Sequence, residues 1–381
     1  MRSDLAADRA RIVEIERLIV ELRAEQSAAQ ERLKSYKYPA VNLPNELISE
    51  MFIHFLPIAP LCPPFRGILS PTALTHICSK WRAIALATPA LWTATEFEYY
   101  SRSFLICDAW LSRTASCSLS IHVADHSWMP EIVAAIVPHR ERLEHLKIHG
   151  LSERTFPLVD GPLPRLRYLE LLLFGSPLDK FTLQGAPKLR KAVLSSNIAL
   201  RVTLPWGQLT SLTLYSIEPS KWASILQHTT RLVDCNQSFW VMSDTHPHTG
   251  PNIVLPSLEV LLLRSDPESG AVTGLLATLV VPALLRLEIP ESFLASDIGS
   301  NHLDSLTSFI STSDCKIQEI HMTKRPSRLR FPESEYRAAF PSVPKFSFDY
   351  DESDNDEDEC NDDDDESDDG GDESDDDGNS D

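Results

Sequence analysis

A spaced pattern of apolar residues limits the folds open to this chain more than any other feature. The pattern L-x-x-L-x-L, or a close apolar equivalent, starts at Leu143 (Leu143, Leu146, Ile148) and returns at Leu166 (Leu166, Leu169, Leu171), Leu189 (Leu189, Ala192, Leu194) and Leu209 (Leu209, Leu212, Leu214). It recurs at Leu258 (Leu258, Leu261, Leu263), Leu284 (Leu284, Leu287, Ile289) and Ile317 (Ile317, Ile320, Met322), with a degenerate copy at Leu232. Copies lie 20 to 33 residues apart. One such unit cannot bury its own apolar face, so neighbours must stack and share a core. The alternating leucines predict one short strand per unit, with neighbours stacked in parallel. Pro164, Pro187, Pro205, Pro256 and Pro282 stand just upstream of five of these strands and end the preceding connection. A β-sandwich is the alternative; against it, the one Asp-Gly pair among the repeats is Asp160-Gly161, and Asn-Gly hairpin turns between the strands are absent.

A different periodicity occupies the N-terminus. From Leu5 to Tyr36 there is no Gly or Pro, and apolar residues fall on a seven-residue cycle. Leu5, Ile12, Ile19 and Leu33 take one core position, with Gln26 as its polar member; Ile15, Leu22, Ala29 and Tyr36 take the other, with Asp8 as its exception. Arg9, Glu16, Arg23 and Glu25 flank this stripe. The expectation is one amphipathic helix of about 48 Å. Two roles stay open: a homodimer through residues 5–36, or a helix folded back on its own domain.

The opposite end carries the charge. The formal net charge is −20, yet 21 Asp or Glu and no Lys or Arg lie between Asp349 and Asp381, leaving 34 acids against 35 bases in the rest. The body is near neutral, and a uniformly acidic protein is excluded. The like charges of the tail repel one another and predict a disordered segment over 349–381. Ser353 and Ser374 there have an acidic residue three places on, as acidophilic kinase sites do. The seven cysteines are scattered and form no C-x-x-C pair, so neither a disulfide framework nor a zinc site is expected. Without a secretory signal, and with its longest apolar run (Gly274 to Leu285) broken by Pro282, the chain is expected to be intracellular, cytoplasmic or nuclear, with no membrane partner.

Between the helix and the repeats lies a compact set of signals. Asn42 or Asn45 can cap a short helix with Leu47, Met51 and Phe55 on one face. A loop holding Pro57, Pro60, Pro63, Pro64 and Pro71 follows, then a helical stretch from Pro71 to Ala87 and a turn ending at Trp92. Leu43-Pro44-x-Glu46-Leu47-Ile48, then Phe52 and Phe55-Leu56-Pro57, then Cys78-x-x-Trp81-Arg82 and Pro89-x-Leu91-Trp92, resembles the F-box. That three-helix module docks on the Skp adaptor of cullin-RING ubiquitin ligases. An F-box between a heptad helix and degenerate leucine-rich repeats looks like the large F-box families of mushroom-forming fungi. The resemblance implies that Leu43, Pro44, Leu47, Ile48, Phe52, Leu56, Cys78, Trp81 and Trp92 face the adaptor and, through it, a cullin. The proline-rich loop from Ile58 to Pro71 is longer than the family's usual link. The plain alternative is that large apolar residues such as Phe55, Ile84 and Trp81 hold the module together.

No catalytic or cofactor motif occurs: G-x-S-x-G, P-loop and H-E-x-x-H are all missing. His246-Pro247-His248 with Asp244 reads as loop rather than metal site. Lys324, Arg325, Arg328 and Arg330 form a basic cluster whose roles divide between nuclear import, capping the repeats and pairing with the tail. The exposed strand positions His145, Lys147, Tyr168, Glu170, Ser211, Thr213, Arg264, Arg286 and Glu288 form a candidate face for a protein substrate, the alternative being a merely solvated sheet. The whole reads as an α+β multi-part protein: a heptad helix (1–38), an F-box (39–97), an α/β leucine-rich-repeat-like solenoid (98–348) and an acidic tail (349–381). The implied role is a non-catalytic substrate-recognition subunit without cofactors or nucleic acid. The rival is a leucine-rich scaffold whose acidic tail binds histones or other basic proteins.

Overall fold

A computed structural model describes residues 2–35, 43–57, 61–98, 104–124, 130–150, 156–173, 180–183, 185–239, 252–265, 274–294, 302–323 and 333–349. Tyr36, Asn42, the His246-Pro247-His248 segment with Asp244, the basic cluster at 324–330 and the tail with Ser353 and Ser374 lie outside the described residues. The architecture is mixed α/β: a long N-terminal helix, a small helical unit and a large parallel sheet.

Helix α1 spans Arg2–Ser35. Its Ala, Leu, Arg and Glu content favours helix, and nothing in it breaks one. On its outer side Arg17 pairs with Glu14 at 2.9 Å and with Glu21 at 3.7 Å, one turn away in each direction. Leu5, Ile12, Ile15, Ile19, Leu22 and Leu33 all stay exposed, so the stripe is not folded back on the rest of the chain.

The helical unit contains α2 (Asn45–Phe55), α3 (Pro71–Leu74), α4 (Ser79–Leu86) and a 3₁₀ turn at Pro89–Trp92. The helix expected over Pro71 to Ala87 is two pieces. Ser70 caps the first by accepting from the Thr72 amide, and Cys78, in extended conformation, caps the second, its sulfur accepting from the Trp81 amide. Asn45 does not cap α2: Pro44 holds that position without a side-chain bond, and Asn45 is the first helical residue. Lys80 Nζ donates to the Leu43 carbonyl at 3.0 Å and ties α4 to the start of α2.

The main sheet runs β1 (Ala94–Glu98), β2 (Leu119–Ala124), β3 (Leu143–Gly150), β4 (Tyr168–Leu173), β6 (Lys191–Ser195), β8 (Ser211–Ile217), β9 (Asp234–Phe239), β11 (Val260–Ser265), β13 (Arg286–Pro290), β14 (Glu319–Thr323) and β15 (Lys345–Phe348). Four two-residue strands pair separately: β5 (Phe181–Thr182) with β7 (Val202–Thr203), and β10 (Ile253–Val254) with β12 (Leu279–Val280). Every pairing in the main sheet is parallel and spatial order follows chain order, which excludes the sandwich. Asp160-Gly161 lies in the connection between parallel strands β3 and β4, not in a hairpin.

Register explains why the spacing matters. Thr95, Ile121, Leu146, Leu169, Ala192, Leu212, Cys235, Leu261, Leu287, Ile320 and Phe346 are register partners in succession, and all are buried. The leading leucines of the pattern are buried, Leu143 as the first residue of β3 and those from Leu166 to Leu284 just ahead of their strands. There the amides of Leu166, Leu189, Leu209, Leu232, Leu258 and Leu284 each donate to the carbonyl three residues back. The next residue bonds sideways: Arg167 to Glu144, Arg190 to Arg167, Thr210 to Arg190, Val233 to Thr210 and Glu259 to Val233. The pattern therefore sets both the core and the stacking ladder.

The two ends of this sheet are finished with aromatic rings. At the first, Phe65 from the proline-rich loop stacks on Trp110 at 4.6 Å and tilts onto Phe97 at 5.7 Å. At the last, Tyr336 and Phe340 pack on Phe346 and Phe348 of β15, and the Tyr336 hydroxyl donates to Glu291 at 2.7 Å. The sheet thus begins at Ala94, inside the stretch assigned by sequence to the F-box, and no break in the buried core marks residue 98.

A polar side chain also enters the middle of this core. Gln237 is fully buried beside Leu214 and Leu263; its side-chain nitrogen reaches the Ser238 carbonyl at 2.6 Å, while Oε1 has no partner among the described residues. An unpaired buried acceptor costs about 1–3 kcal/mol. Gln237→Met, which keeps the shape and removes the amide, is expected to raise unfolding free energy by about 1 kcal/mol in urea titrations. A loss of that size would mean that Oε1 is paired in solution.

Candidate functional site

Two surfaces carry the residues singled out from sequence. The first is the helical unit. Ile48, Phe52 and Trp92, expected to face an adaptor, are buried in the module's own core. Phe52 meets Trp81 edge-on at 5.0 Å, and Trp92 donates its indole N–H to the Ala85 carbonyl at 2.9 Å. On a short amphipathic helix the same apolar residues cannot serve both core and partner, and here the core takes them. Leu43, Leu56, Cys78 and Trp81 are half-buried, whereas Pro44 and Leu47 are exposed. Met51, not singled out from sequence as a docking residue, completes an exposed stripe with them at i, i+3 and i+7 along the cap and body of α2. Leu47 is 53% and Met51 52% exposed, and Ile77 and Leu86 are also open to solvent.

The second surface is the solvent-facing side of the sheet. Glu96, His122, Lys147 and Glu170 are register partners across β1 to β4, and His149 lies two residues beyond Lys147 on the same side. His122 Nδ1 lies 2.8 Å from a Glu96 oxygen, and His149 Nε2 2.6 Å from Glu170 Oε1. The remaining ring nitrogens, His122 Nε2 and His149 Nδ1, are 3.4 Å apart. The Tyr168 hydroxyl donates to Glu170 Oε2, which Lys147 Nζ approaches to 3.6 Å. Lys147 also sits 5.6 Å from the centre of the Tyr168 ring. His145 belongs to the next row, with its Nδ1 2.9 Å from the Ser120 hydroxyl.

These contacts fix protonation. Burial alone would raise the Glu170 carboxyl, but hydrogen bonds from His149 and Tyr168 and the Lys147 charge outweigh it and hold it down to about 2. Burial, with His149 and Lys147 nearby, pushes His122 down to about 4, so at neutral pH this ring is uncharged and donates from Nδ1 to Glu96. Its Nε2 is then an acceptor, facing His149 Nδ1 at 3.4 Å. Burial and the neighbouring Glu170 raise the Tyr168 hydroxyl, which stays protonated. The result is a fixed chain of donors and acceptors rather than a nucleophile with a base.

Because the folded state disfavours a proton on His122, stability is present above its unfolded pKa near 6.5 and falls as pH drops toward 4. The ring is 16% exposed, which screens the effect, so His122→Gln is expected to abolish a pH-dependent loss of about 2 kcal/mol between pH 7 and 4. Urea melts of both chains at pH 7, 5.5 and 4 measure it; parallel slopes would rule it out.

The remaining candidates lie far along the sheet. Arg264 pairs with Glu288 at 2.9 Å, and Arg286 with Glu319 at 2.7 Å, where Lys345 also binds. Both arginines are exposed, and Ser211 and Thr213 lie on the intervening strand β8. Their side chains form a second, more open charged group, separate from the histidine cluster. Sequence reasoning missed Glu96, His122 and His149. The first two lie on β1 and β2, where the L-x-x-L-x-L spacing fails; the alternation Leu119-Ser-Ile-His-Val was the available signal. Among the described residues no group of three or more His, Cys, Asp or Glu is placed to hold a metal, and no helix is long and apolar enough to cross a membrane. The six described cysteines are unpaired, and burial pushes the Cys235 thiol up to about 12. No family model matches the chain, and no curated protein matches it.

Proposed function

We propose that the chain is the non-catalytic substrate receptor of a Skp-cullin-F-box ubiquitin ligase, with the helical unit docking the adaptor and the sheet face holding the target. In this reading the parallel sheet is a leucine-rich-repeat-like solenoid, and the protein works inside the cell by bringing a lysine near a thioester carried elsewhere. The observation that carries it is the Pro44, Leu47 and Met51 stripe. It leaves large apolar side chains in water on a unit whose own core is already filled by Ile48, Phe52, Leu91 and Trp92. The F-box resemblance supplies the identity of the partner. The mixed charges of the sheet face, already engaged with one another, suit a polar protein target better than nucleic acid, which needs an unpaired basic surface.

Co-purification tests the proposal. The full chain is expected to retain a Skp-type adaptor in a one-to-one complex. Failure to bind any such adaptor would overturn the ligase reading, and retention of histones through residues 349–381 alone would favour the scaffold.

A further inference from the structure

We infer that α1 joins two copies of this chain as a parallel, in-register coiled coil, an inference that does not rest on the ligase reading. A lone helix of this length gains little in water unless its apolar stripe is covered. Here Ile12, Ile15, Ile19 and Leu22 are 54, 46, 42 and 62% exposed. They are consecutive members of the two core positions of the seven-residue cycle, and Leu18 flanks them. Glu14, Arg17 and Glu21, which pair with one another within the helix, lie on the opposite side and leave the seam free. Val13 and Val20 fall off the seam and stay in water in the pair.

Charge and polarity select the occupant and its direction. In a parallel pair, Arg11 meets Glu16 of the second copy, and symmetry repeats the contact; Glu25 meets Gln30. Gln26 faces its own counterpart, and two amides can hydrogen-bond across the seam and fix the register. The antiparallel arrangement that best overlaps the same stripe puts Arg11 against Arg32, Gln26 against Ile15 and Asp8 against Leu33. It buries polar groups on apolar ones, and its Arg11–Arg32 repulsion cancels the attraction that it gains between Glu16 and Arg23. The parallel pair instead apposes Asp8 with Asp8 at the end of the coil, where water reaches both. The partner that best fits this helix is therefore a second copy, which places two sheet faces on one assembly and makes target capture bivalent.

Sedimentation of the full-length chain across 0.1 to 50 µM, on the order of typical working concentrations, tests this. The expected species is twice the 42.7 kDa chain mass at the upper end. Ile15→Asp with Ile19→Asp should return it to monomer, with the unfolding transition of the sheet unchanged. Direction is read by Gln26→Cys under mild oxidation: the parallel pair crosslinks through position 26, at least tenfold more than wild type. A chain that stays monomeric throughout, or a dimer that survives the double substitution, overturns the inference; a dimer that fails to crosslink at position 26 overturns its parallel register.

Discussion

Trp92→Ala is expected to lower unfolding free energy by about 3–5 kcal/mol. The side chain is fully buried where the helical unit meets the sheet. It donates to the Ala85 carbonyl, stands edge-on to Trp110 at 4.8 Å, and lies beneath the Arg113 guanidinium at 4.6 Å. Trp110 in turn donates its indole N–H to the Trp92 carbonyl at 2.8 Å and stacks on Phe65. Truncation removes the ring, opens a cavity beside Trp110 and leaves the Ala85 carbonyl with the weaker bond from the Thr88 amide. Trp92→Phe separates these terms, keeping most of the volume and losing the hydrogen bond at about 1–2 kcal/mol. Urea unfolding followed by circular dichroism measures both. Should Trp92→Ala cost less than about 1 kcal/mol while adaptor binding disappears, the side chain would belong to the docking surface that the resemblance assigned to it, not to the core.

The contrast between that resemblance and the burial of Trp92, Ile48 and Phe52 shows where sequence reading stops. A pattern repeated eight times is over-determined, so all eight units, including the degenerate one at Leu232, became consecutive strands of one sheet. Units at the ends obey different rules because they have a neighbour on one side only. β1, with one neighbour, reaches the core through Phe97, and β15 closes with Phe346 and Phe348; on β2 Leu119 is the register partner of Leu143, but only one residue separates it from Ile121. Their strands were therefore invisible to the repeat, and so were Glu96 and His122. His149 was hidden differently: its value depends on Glu170 on the next strand, and cross-strand pairing is a property of register. A short motif likewise says which residues recur, but not which side of the helix each one faces. On α2 that division depends on how α4 and the Pro89–Trp92 turn pack, which follows from tertiary contacts alone.

That division makes the docking surface testable apart from the core. Leu47→Asp combined with Met51→Asp is expected to weaken adaptor binding at least 100-fold while shifting unfolding free energy by less than about 0.5 kcal/mol. Both side chains are exposed, so charges there cost the free protein little. Against an apolar partner groove each buries an unpaired carboxylate, and about 1.4 kcal/mol per decade of affinity makes two such losses severe. Ile48→Ala, one residue along the same helix, should behave in the reverse order: about 2–5 kcal/mol of stability is lost because its side chain is buried. Any loss of adaptor binding then follows the folded fraction. Calorimetric titration of adaptor into each variant, at a temperature where all are folded, distinguishes the two. Equal affinity for wild type and the double aspartate variant would remove α2 from the interface; equal destabilisation by both would mean that the stripe is part of the core after all.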